Sequence, residues 1–197
     1  MSRKRGPRRG SPDTREAILD AARASFAGVG YNGSTIRRIA GMAGVDPSLV
    51  IHYFGSKQDL FAASVALPTS PTAMIDRVFI EGVADDSVAE RLTRLFFEVW
   101  EHPDSRQALL GQLRAAFETG QPPPMAEFVV DAVISRIGEF IEGPDAELRM
   151  ELAASNLIGI AILRYVVALE PLASASVDSL VAEVAPRIRG YLTPAKN

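Results

Sequence analysis

The chain of 197 residues is 47% hydrophobic and 23% charged, a balance that predicts an ordinary soluble protein with one or two domains and a real core. It contains no cysteine, which excludes disulfides, thiolate catalysis and cysteine-based zinc sites and agrees with the cytoplasmic location that we predict. The net charge is −3, but residues 1–60 hold ten basic and five acidic side chains, so a nucleic-acid-binding face is predicted in the N-terminal third.

Residues 1–12 form a basic arm, MSRKRGPRRGSP, without apolar periodicity. Its five cations and its lack of core-forming side chains predict disorder in the free protein. The arm can lie along phosphates or place arginines in a neighbouring minor groove, or it can be a solubilising tail without a defined site. In each case we expect it to steepen the salt dependence of DNA binding.

A first helix is predicted to begin at Asp13 or Thr14. Its apolar side chains recur at helical spacing, at Ile18, Ala22, Phe26 and Val29. Glycines between residues 28 and 33 then break the pattern. We expect this helix to pack across the two helices that follow it.

Residues 34–57, STIRRIAGMAGVDPSLVIHYFGSK, fit a helix-turn-helix position by position. Ser34 or Thr35 can cap a first helix, which Gly44 ends with a left-handed turn. Asp46 followed by proline then starts a second helix. Three side chains of that helix can point back to the first, namely Val50, Tyr53 and Phe54. The outward side chains, Pro47, Ser48, Ile51 and His52, are arranged as in a recognition helix that enters a major groove.

At AGVDPSLVIHYFGSK, preceded by TIRRIA, the chain resembles the tetracycline-repressor (TetR) family of bacterial transcription regulators. The resemblance spans roughly residues 14–61, and the remainder agrees in length and helical character. It implies an all-α protein with an N-terminal three-helix helix-turn-helix domain and a C-terminal helical domain for ligand binding and dimerisation. We therefore predict a DNA-binding domain over residues 13–56 and a second domain over 57–197.

The residues predicted to bind double-stranded DNA are Thr35, Arg37, Pro47, Ser48, Ile51, His52, Tyr53 and Lys57. The resemblance implies that Thr35, Tyr53 and Lys57 contact the DNA backbone while the outward side chains of the second helix face base edges. A cation such as Lys57 in the first turn of a helix opposes the helix dipole, which predicts a partner outside the protein. Many members of the family have other residue types at Pro47 and Ile51, so His52, Ser48, thymine-methyl contact and DNA shape must carry more of the specificity.

The remainder of the chain predicts helices without any strand-like alternation. The first is a linking helix that starts at Ser56 and continues to Leu67. The other predicted segments are Thr72–Glu81, Ser87–Glu101, Asp104–Glu118, Met125–Ile141, Asp145–Leu169 and Ser176–Leu192. The most apolar run, Leu157–Leu163, is far shorter than a membrane span, so no membrane partner is predicted.

The two C-terminal segments have more apolar surface than one core needs. Between Leu148 and Leu169 apolar or small residues cover nearly every face of the helix, and Gly159 permits the close approach of a neighbour. We predict a homodimer made by a four-helix bundle, with the two C-terminal helices of each subunit. The alternative is a monomer in which this helix is wholly internal.

A small hydrophobic ligand between the middle helices is implied by the resemblance alone. The predicted ligand-binding residues are Phe97, Trp100, Leu113, Phe117, Asn156 and Arg164. The aromatic and aliphatic residues among them would otherwise belong to the core, and the polar ones would make surface or structural hydrogen bonds.

Catalytic motifs are not found in the sequence. No Glu-x-x-His pair, glycine-rich phosphate loop, Gly-x-Ser-x-Gly or metal-ligand spacing occurs, so we predict no catalytic residue, metal or cofactor. We predict a ligand-responsive DNA-binding repressor that binds an inverted-repeat operator. The alternatives are a helical protein-interaction module that uses the helix-turn-helix only for packing and, with less support, a helical enzyme.

Overall fold

A computed structural model describes residues 12–79, 88–131 and 145–193 of the chain. Within these ranges the protein is helical and has no strand, which confirms the predicted all-α class. The helices are α1 (Pro12–Gly33), α2 (Ile36–Ala43), α3 (Pro47–Phe54), α4 (Lys57–Ser64), α5 (Pro71–Val78), α6 (Val88–Glu101), α7 (Pro103–Thr119), α8 (Pro124–Val129), α9 (Ala146–Ala161) and α10 (Val177–Leu192). A π-helical turn, Ile162–Val166, continues α9. The basic arm, apart from its last residue, lies outside the described residues.

The chain packs into two compact units that are not consecutive in sequence. Of the described residues, the first unit comprises 12–71 and 107–130, and the second comprises 72–79, 88–106, 131 and 145–193. Helix α4, the C-terminal part of α7 and α8 therefore belong to the same unit as α1 to α3. We predict a single boundary, after residue 56, between the DNA-binding domain and the second domain. The packing units are not separated by one such boundary, and the predicted domain boundary stays a prediction.

The core of the first unit is an aromatic cluster where α1, α4 and α8 meet. Phe61 of α4 contacts Phe26 of α1 at a ring-centroid distance of 4.9 Å and Phe128 of α8 at 4.7 Å. Tyr31 lies against the same rings, 5.2 Å from Phe61 and 5.5 Å from Phe128. All four side chains are buried. Burial of aromatic side chains, which contribute large apolar areas, fixes these three helices against one another.

The core of the second unit is formed mainly by α6 and α10, with α9 beside them. Phe97 of α6 is fully buried against Val181 of α10, and Leu157 of α9 packs in a neighbouring cluster with Ile188. Helix α10 thus uses its apolar face inside its own unit. The dimer that we predict through the two C-terminal helices must therefore use other faces of α10, and it stays a prediction.

Several helix boundaries differ from those predicted, for local reasons. Helix α1 is kinked at Gly30, whose φ of 75° and ψ of 176° are not helical, so the glycine break falls within the segment. Helix α4 ends at Ser64, three residues earlier than the predicted Leu67. Pro186 lies inside α10 without ending it. The predicted segment over 125–141 is described only as far as residue 131.

Candidate nucleic-acid interface

Helix α2 and its turn are built as the sequence predicts. The Thr35 side chain caps α2 by accepting a hydrogen bond from the Arg38 amide at 3.1 Å. Gly44 ends α2 with a φ of 68°, in the left-handed region that favours glycine, and its amide N–H donates to the backbone of α2. Ser34, the other candidate cap, is buried and binds Ser25 and the Gly30 carbonyl oxygen instead.

Helix α3 begins at a side-chain cap and turns one face away from the core. Asp46 accepts a hydrogen bond from the Ser48 amide at 2.8 Å and another from the Ser48 hydroxyl at 2.5 Å. Val50 and Phe54 are buried, while Ser48 and His52 are exposed and Ile51 is 46% exposed. The described structure therefore has the inward and outward faces that the sequence predicts for these residues.

The other residues that we predict to contact DNA differ in their exposure to solvent. Thr35 and Arg37 are exposed, whereas Pro47 is only partly exposed. Tyr53 is half-buried, and its ring lies 5.7 Å from His52. The Tyr53 hydroxyl is buried and has no hydrogen-bond partner within the described ranges. A phosphate contact by Tyr53 therefore requires this hydroxyl to reach the surface, and such a contact remains a prediction.

Lys57 has an internal partner that the sequence does not reveal. Its Nζ donates to the Tyr31 carbonyl oxygen at 3.2 Å and lies 4.0 Å from the centre of the Tyr31 ring, a cation–π distance. The side chain is only partly exposed. The expected cost of a cation at the start of α4 is thus offset within the protein, although Lys57 retains further N–H groups for an anion.

Two residues of α8, Glu127 and Phe128, also contribute to this region. The sequence does not predict that they belong to it. Glu127 Oε2 accepts a hydrogen bond from the Asn32 amide at 2.7 Å, and Phe128 packs on Tyr31 and Phe61. Asn32 and Glu127 are 95 residues apart. No local pattern in the sequence connects them, because the contact depends on how α8 returns to α1.

The predicted ligand-binding residues are divided between the two units. Leu113 and Phe117 belong to the first unit, where Phe117 is 73% exposed. Phe97 and Trp100 are buried in the second unit, and Asn156 on α9 is partly buried there. The structure does not gather these side chains within one unit, so their shared role as a pocket remains a prediction.

Arg164 is held by structural contacts in the second unit. Its guanidinium forms an ion pair with Glu101 at 2.9 Å and donates to the carbonyl oxygens of Leu172 and Ala175, and its side chain is only 9% exposed. Tyr165 stacks on Trp100 with ring centroids 5.2 Å apart and donates its hydroxyl to the same Glu101 oxygen at 2.9 Å. These contacts tie the π-helical turn and the following loop to the end of α6.

The same contacts change the pKa values of Glu101 and Tyr165. Burial by itself would raise the pKa of Glu101, but the hydrogen bonds from Arg164 and Tyr165 outweigh burial, so the pKa lies below its ordinary value. Burial, aided by the hydrogen bond to Glu101, raises the pKa of Tyr165 to about 12. This cluster therefore stays as an ionised carboxylate and a neutral phenol at neutral pH.

The described residues give little support for a ligand pocket, a metal site or a membrane-spanning helix. A surface cavity of about 280 Å³ in the second unit lies between α6 and α10, with Glu90, Arg94, Asp178 and Arg189 in its lining, and none of the predicted ligand residues lines it. Across residues 12–79, 88–131 and 145–193 no group of histidine, aspartate and glutamate side chains is arranged to hold a metal ion. Over the same residues no helix has the length and apolar character needed to span a membrane.

Two family models match the chain. The model described as "Bacterial regulatory proteins, tetR family" matches residues 18–64, which include the helix-turn-helix. The model described as "Tetracyclin repressor-like, C-terminal domain" matches residues 86–192, more than half of the chain. The two matches together cover both the predicted DNA-binding segment and the helices that follow it.

Individual proteins give matches of different extent. The HTH-type transcriptional repressor AcnR of Corynebacterium glutamicum is 41% identical over 51 residues, which are 26% of this chain and 27% of that protein. The HTH-type transcriptional regulator BetI of Serratia proteamaculans is 32% identical over 81 residues, 41% of each chain. These matches thus span less than half the length of the curated relatives. The crystal structure of a TetR-family regulator from Streptomyces coelicolor A3 is 36% identical, covers 96% of this chain and 100% of its own, and has a TM-score of 0.56.

Proposed function

Because the chain belongs to the tetracycline-repressor (TetR) family of bacterial DNA-binding transcription regulators, we propose that it represses transcription as a homodimer on an inverted-repeat operator. A small hydrophobic ligand would release it from the operator. Family membership sets aside the helical interaction module and the helical enzyme, since TetR-family regulators are non-enzymatic DNA-binding proteins. Such a regulator acts in the cytoplasm, where the operator DNA lies.

The observation that carries this proposal is the outer face of α3. Ser48, Ile51 and His52 are exposed there, while Val50 and Phe54 hold the helix on the core. A rigidly held helix with a free face is what major-groove entry requires. The excess of basic side chains in residues 1–60 supplies attraction to phosphates.

The dimer would rest chiefly on α9 and the π-helical turn. The exposed large apolar residues of α9, the π-helical turn and the residue directly after it are Leu148, Leu152, Ile158, Leu163, Val166 and Val167. Exposed apolar side chains in this number mark an interaction surface. Helix α10 would contribute its exposed small residues Ala182, Pro186 and Gly190, which recur every four residues and allow a partner helix to approach closely. In a two-fold dimer the same patch meets itself.

Two such subunits would place their recognition helices about 34 Å apart, one turn of DNA. A ligand would shift the population toward a form whose spacing no longer matches adjacent major grooves. That shift can be no larger than the difference in ligand affinity between the two forms. We propose Phe97, Trp100, Leu113, Phe117, Asn156 and Arg164 as the first positions to probe for ligand binding.

The proposal is tested by fluorescence anisotropy with the DNA that flanks the protein's own gene and a scrambled duplex of equal length as control. We expect tighter binding to the flanking DNA. For each tenfold rise in salt concentration, the logarithm of the association constant should fall by about 0.9 per phosphate contact. Each of three results would refute the DNA-binding function: equal affinity for both duplexes, affinity that does not change with salt, or no binding to either duplex. Hydrophobic compounds that stabilise the protein thermally should then release the DNA.

A further inference from the structure

We propose that the peptide group between Tyr31 and Asn32 is a relay through which Glu127 of α8 positions the Lys57 ammonium for a DNA phosphate. Glu127 would be a positioning residue, since it acts on DNA only through Lys57. The inference rests on the proposed function, because it assigns Lys57 to a phosphate contact.

The geometry places Glu127 and Lys57 at opposite ends of one peptide group. The Asn32 N–H donates to Glu127 Oε2 at 2.7 Å, and the Tyr31 carbonyl oxygen accepts from Lys57 Nζ at 3.2 Å. The Tyr31 carbonyl and the Asn32 amide belong to the same planar unit. An anion therefore holds the donor end of this unit, while the acceptor end accepts from the Lys57 cation and also from the Ser34 amide at 3.2 Å.

A planar peptide group couples its two hydrogen bonds mechanically and electrically. Rotation that breaks the Asn32 N–H bond to Glu127 also turns the Tyr31 carbonyl away from Lys57, because both atoms lie in one rigid plane. A carboxylate at the N–H end also polarises the group and strengthens its carbonyl as an acceptor. Removing the Glu127 carboxylate should therefore loosen Lys57, although the two side chains do not contact each other.

The neighbouring residues keep this peptide group in place. Gly30 lets the Glu127 carboxylate approach closely, since a Cβ atom at that position would lie 2.9 Å from both carboxylate oxygens. The Tyr31 ring is buried against Phe26, Phe61 and Phe128, and the Lys57 ammonium lies 4.0 Å from its centre. The peptide group is thus fixed from α8 on one side and from α4 on the other.

The relay would order Lys57 before DNA arrives. One N–H of the ammonium is used by Tyr31, which leaves two for a phosphate, and Lys57 follows directly after the residues that end α3. A lysine whose side chain is already ordered loses less conformational entropy on binding a phosphate. Glu127 would therefore favour DNA binding although it is an acidic residue, the opposite of what its charge alone predicts.

The test is a double-mutant cycle on DNA affinity with Glu127→Ala, Lys57→Ala and the double variant. The matched control is Glu118→Ala, which removes an equal charge from an exposed position in the same unit. We expect Glu127→Ala to weaken operator binding about three- to tenfold in the wild-type background and less than about twofold in the Lys57→Ala background. The control should bind as tightly as the wild type or slightly more tightly.

Equal weakening by Glu127→Ala in both backgrounds, or no weakening at all, would overturn the relay while leaving the DNA-binding function intact. Loss of stability alone would give equal effects in both backgrounds. If Glu127→Ala does not fold, Glu127→Gln keeps an acceptor oxygen without the charge and should show a smaller effect of the same kind.

A second measurement needs no DNA. Hydrogen exchange of the Asn32 amide should accelerate in Glu127→Ala and also, by about two- to threefold, in Lys57→Ala, because coupling through one peptide group acts in both directions. An Asn32 amide that is unaffected by Lys57→Ala would overturn the relay. Absence of DNA binding by the wild type would instead refute the proposed function, and the exchange experiment would still decide whether the peptide group couples the two side chains.

Discussion

At the scale of single residues, the outer face of α3 offers few hydrogen-bonding groups to DNA bases. Ile51 is apolar, and the Ser48 hydroxyl is bound to Asp46 in the free protein. His52 is exposed and has an imidazole that can donate or accept. His52 is therefore the side chain from which we expect most of the direct base recognition.

We predict that His52→Ala changes which sequences the protein prefers, whereas Lys57→Ala weakens binding to all sequences alike. Loss of one base contact costs about 1–3 kcal/mol of discrimination at that base pair, while loss of one phosphate contact carries no sequence information. Binding-site selection from a random DNA library measures both profiles. An unchanged profile for His52→Ala would show that His52 does not read bases.

Gly30 is the residue whose backbone most clearly needs glycine. Its φ of 75° and ψ of 176° lie in a region that is almost restricted to glycine. It also admits the Glu127 carboxylate against the backbone. Gly28 lies one half-turn earlier in α1 and has open space where a Cβ would stand.

We predict that Gly30→Ala lowers the free energy of unfolding by about 1–3 kcal/mol, from backbone strain and displacement of Glu127. Gly28→Ala is the matched control and should raise it by about 0.5–1 kcal/mol, because alanine is the better helix former. Urea unfolding of the two variants measures the difference. Equal stabilities for both would mean that the kink at Gly30 does not require glycine.

At the scale of elements, the π-helical turn after α9 contacts both the end of α6 and the loop that leads to α10. Such turns are rare in proteins. Arg164 fixes this turn by donating hydrogen bonds to the Glu101 carboxylate and to the carbonyl oxygens of Leu172 and Ala175. The element depends on an ionised Glu101, and its stability should consequently depend on pH.

We predict that the wild type is more stable than Glu101→Gln at pH 7 by roughly 1–2 kcal/mol and that this advantage shrinks in acid. The pKa of Glu101 is lowered on folding, so its contribution is present above the unfolded value of 4.5 and is lost as pH falls through the lower folded pKa. Thermal unfolding of both proteins between pH 7 and pH 3 measures the advantage. A difference that is constant over this range would contradict an ionised Glu101 as the source.

At the scale of the whole molecule, the proposed dimer explains why α9 carries exposed apolar side chains. Ile158 of α9 is 43% exposed, whereas Leu157 beside it is buried in the subunit core. Helix α9 thus has apolar side chains on more than one face, as the sequence predicts. Gly159 lies about 100° further around the helix from Ile158, and a Cβ there would meet nothing within 4 Å in the subunit.

We predict that Gly159→Glu leaves the subunit folded but shifts the mass measured by light scattering from dimer toward monomer. The subunit has room for the side chain, so the clash and the buried charge arise only across the dimer interface. Gly111→Glu, at an exposed helical glycine with equally open space, is the matched control and should stay dimeric. Dimeric Gly159→Glu would place the interface elsewhere.

The sequence by itself determines the helix-turn-helix and its orientation. Asp46 and Pro47 start α3, Gly44 ends α2, and the 3.6-residue period separates buried Val50 from exposed Ile51. Each of these signals acts within a few residues, because caps, turns and helical faces are local properties of the chain. The all-α class follows from the same local signals and was predictable for that reason.

Only the tertiary structure decides which distant side chains share a site. The carbonyl that holds Lys57 lies 26 residues before it, the carboxylate that holds Asn32 lies 95 residues after it, and Arg164 meets Glu101 across 63 residues. No periodicity encodes such pairs, since they depend on how whole helices pack after the local structure has formed. For the same reason the sequence predicts that α10 takes part in a dimer, whereas only the packing shows which of its faces is buried within its own subunit.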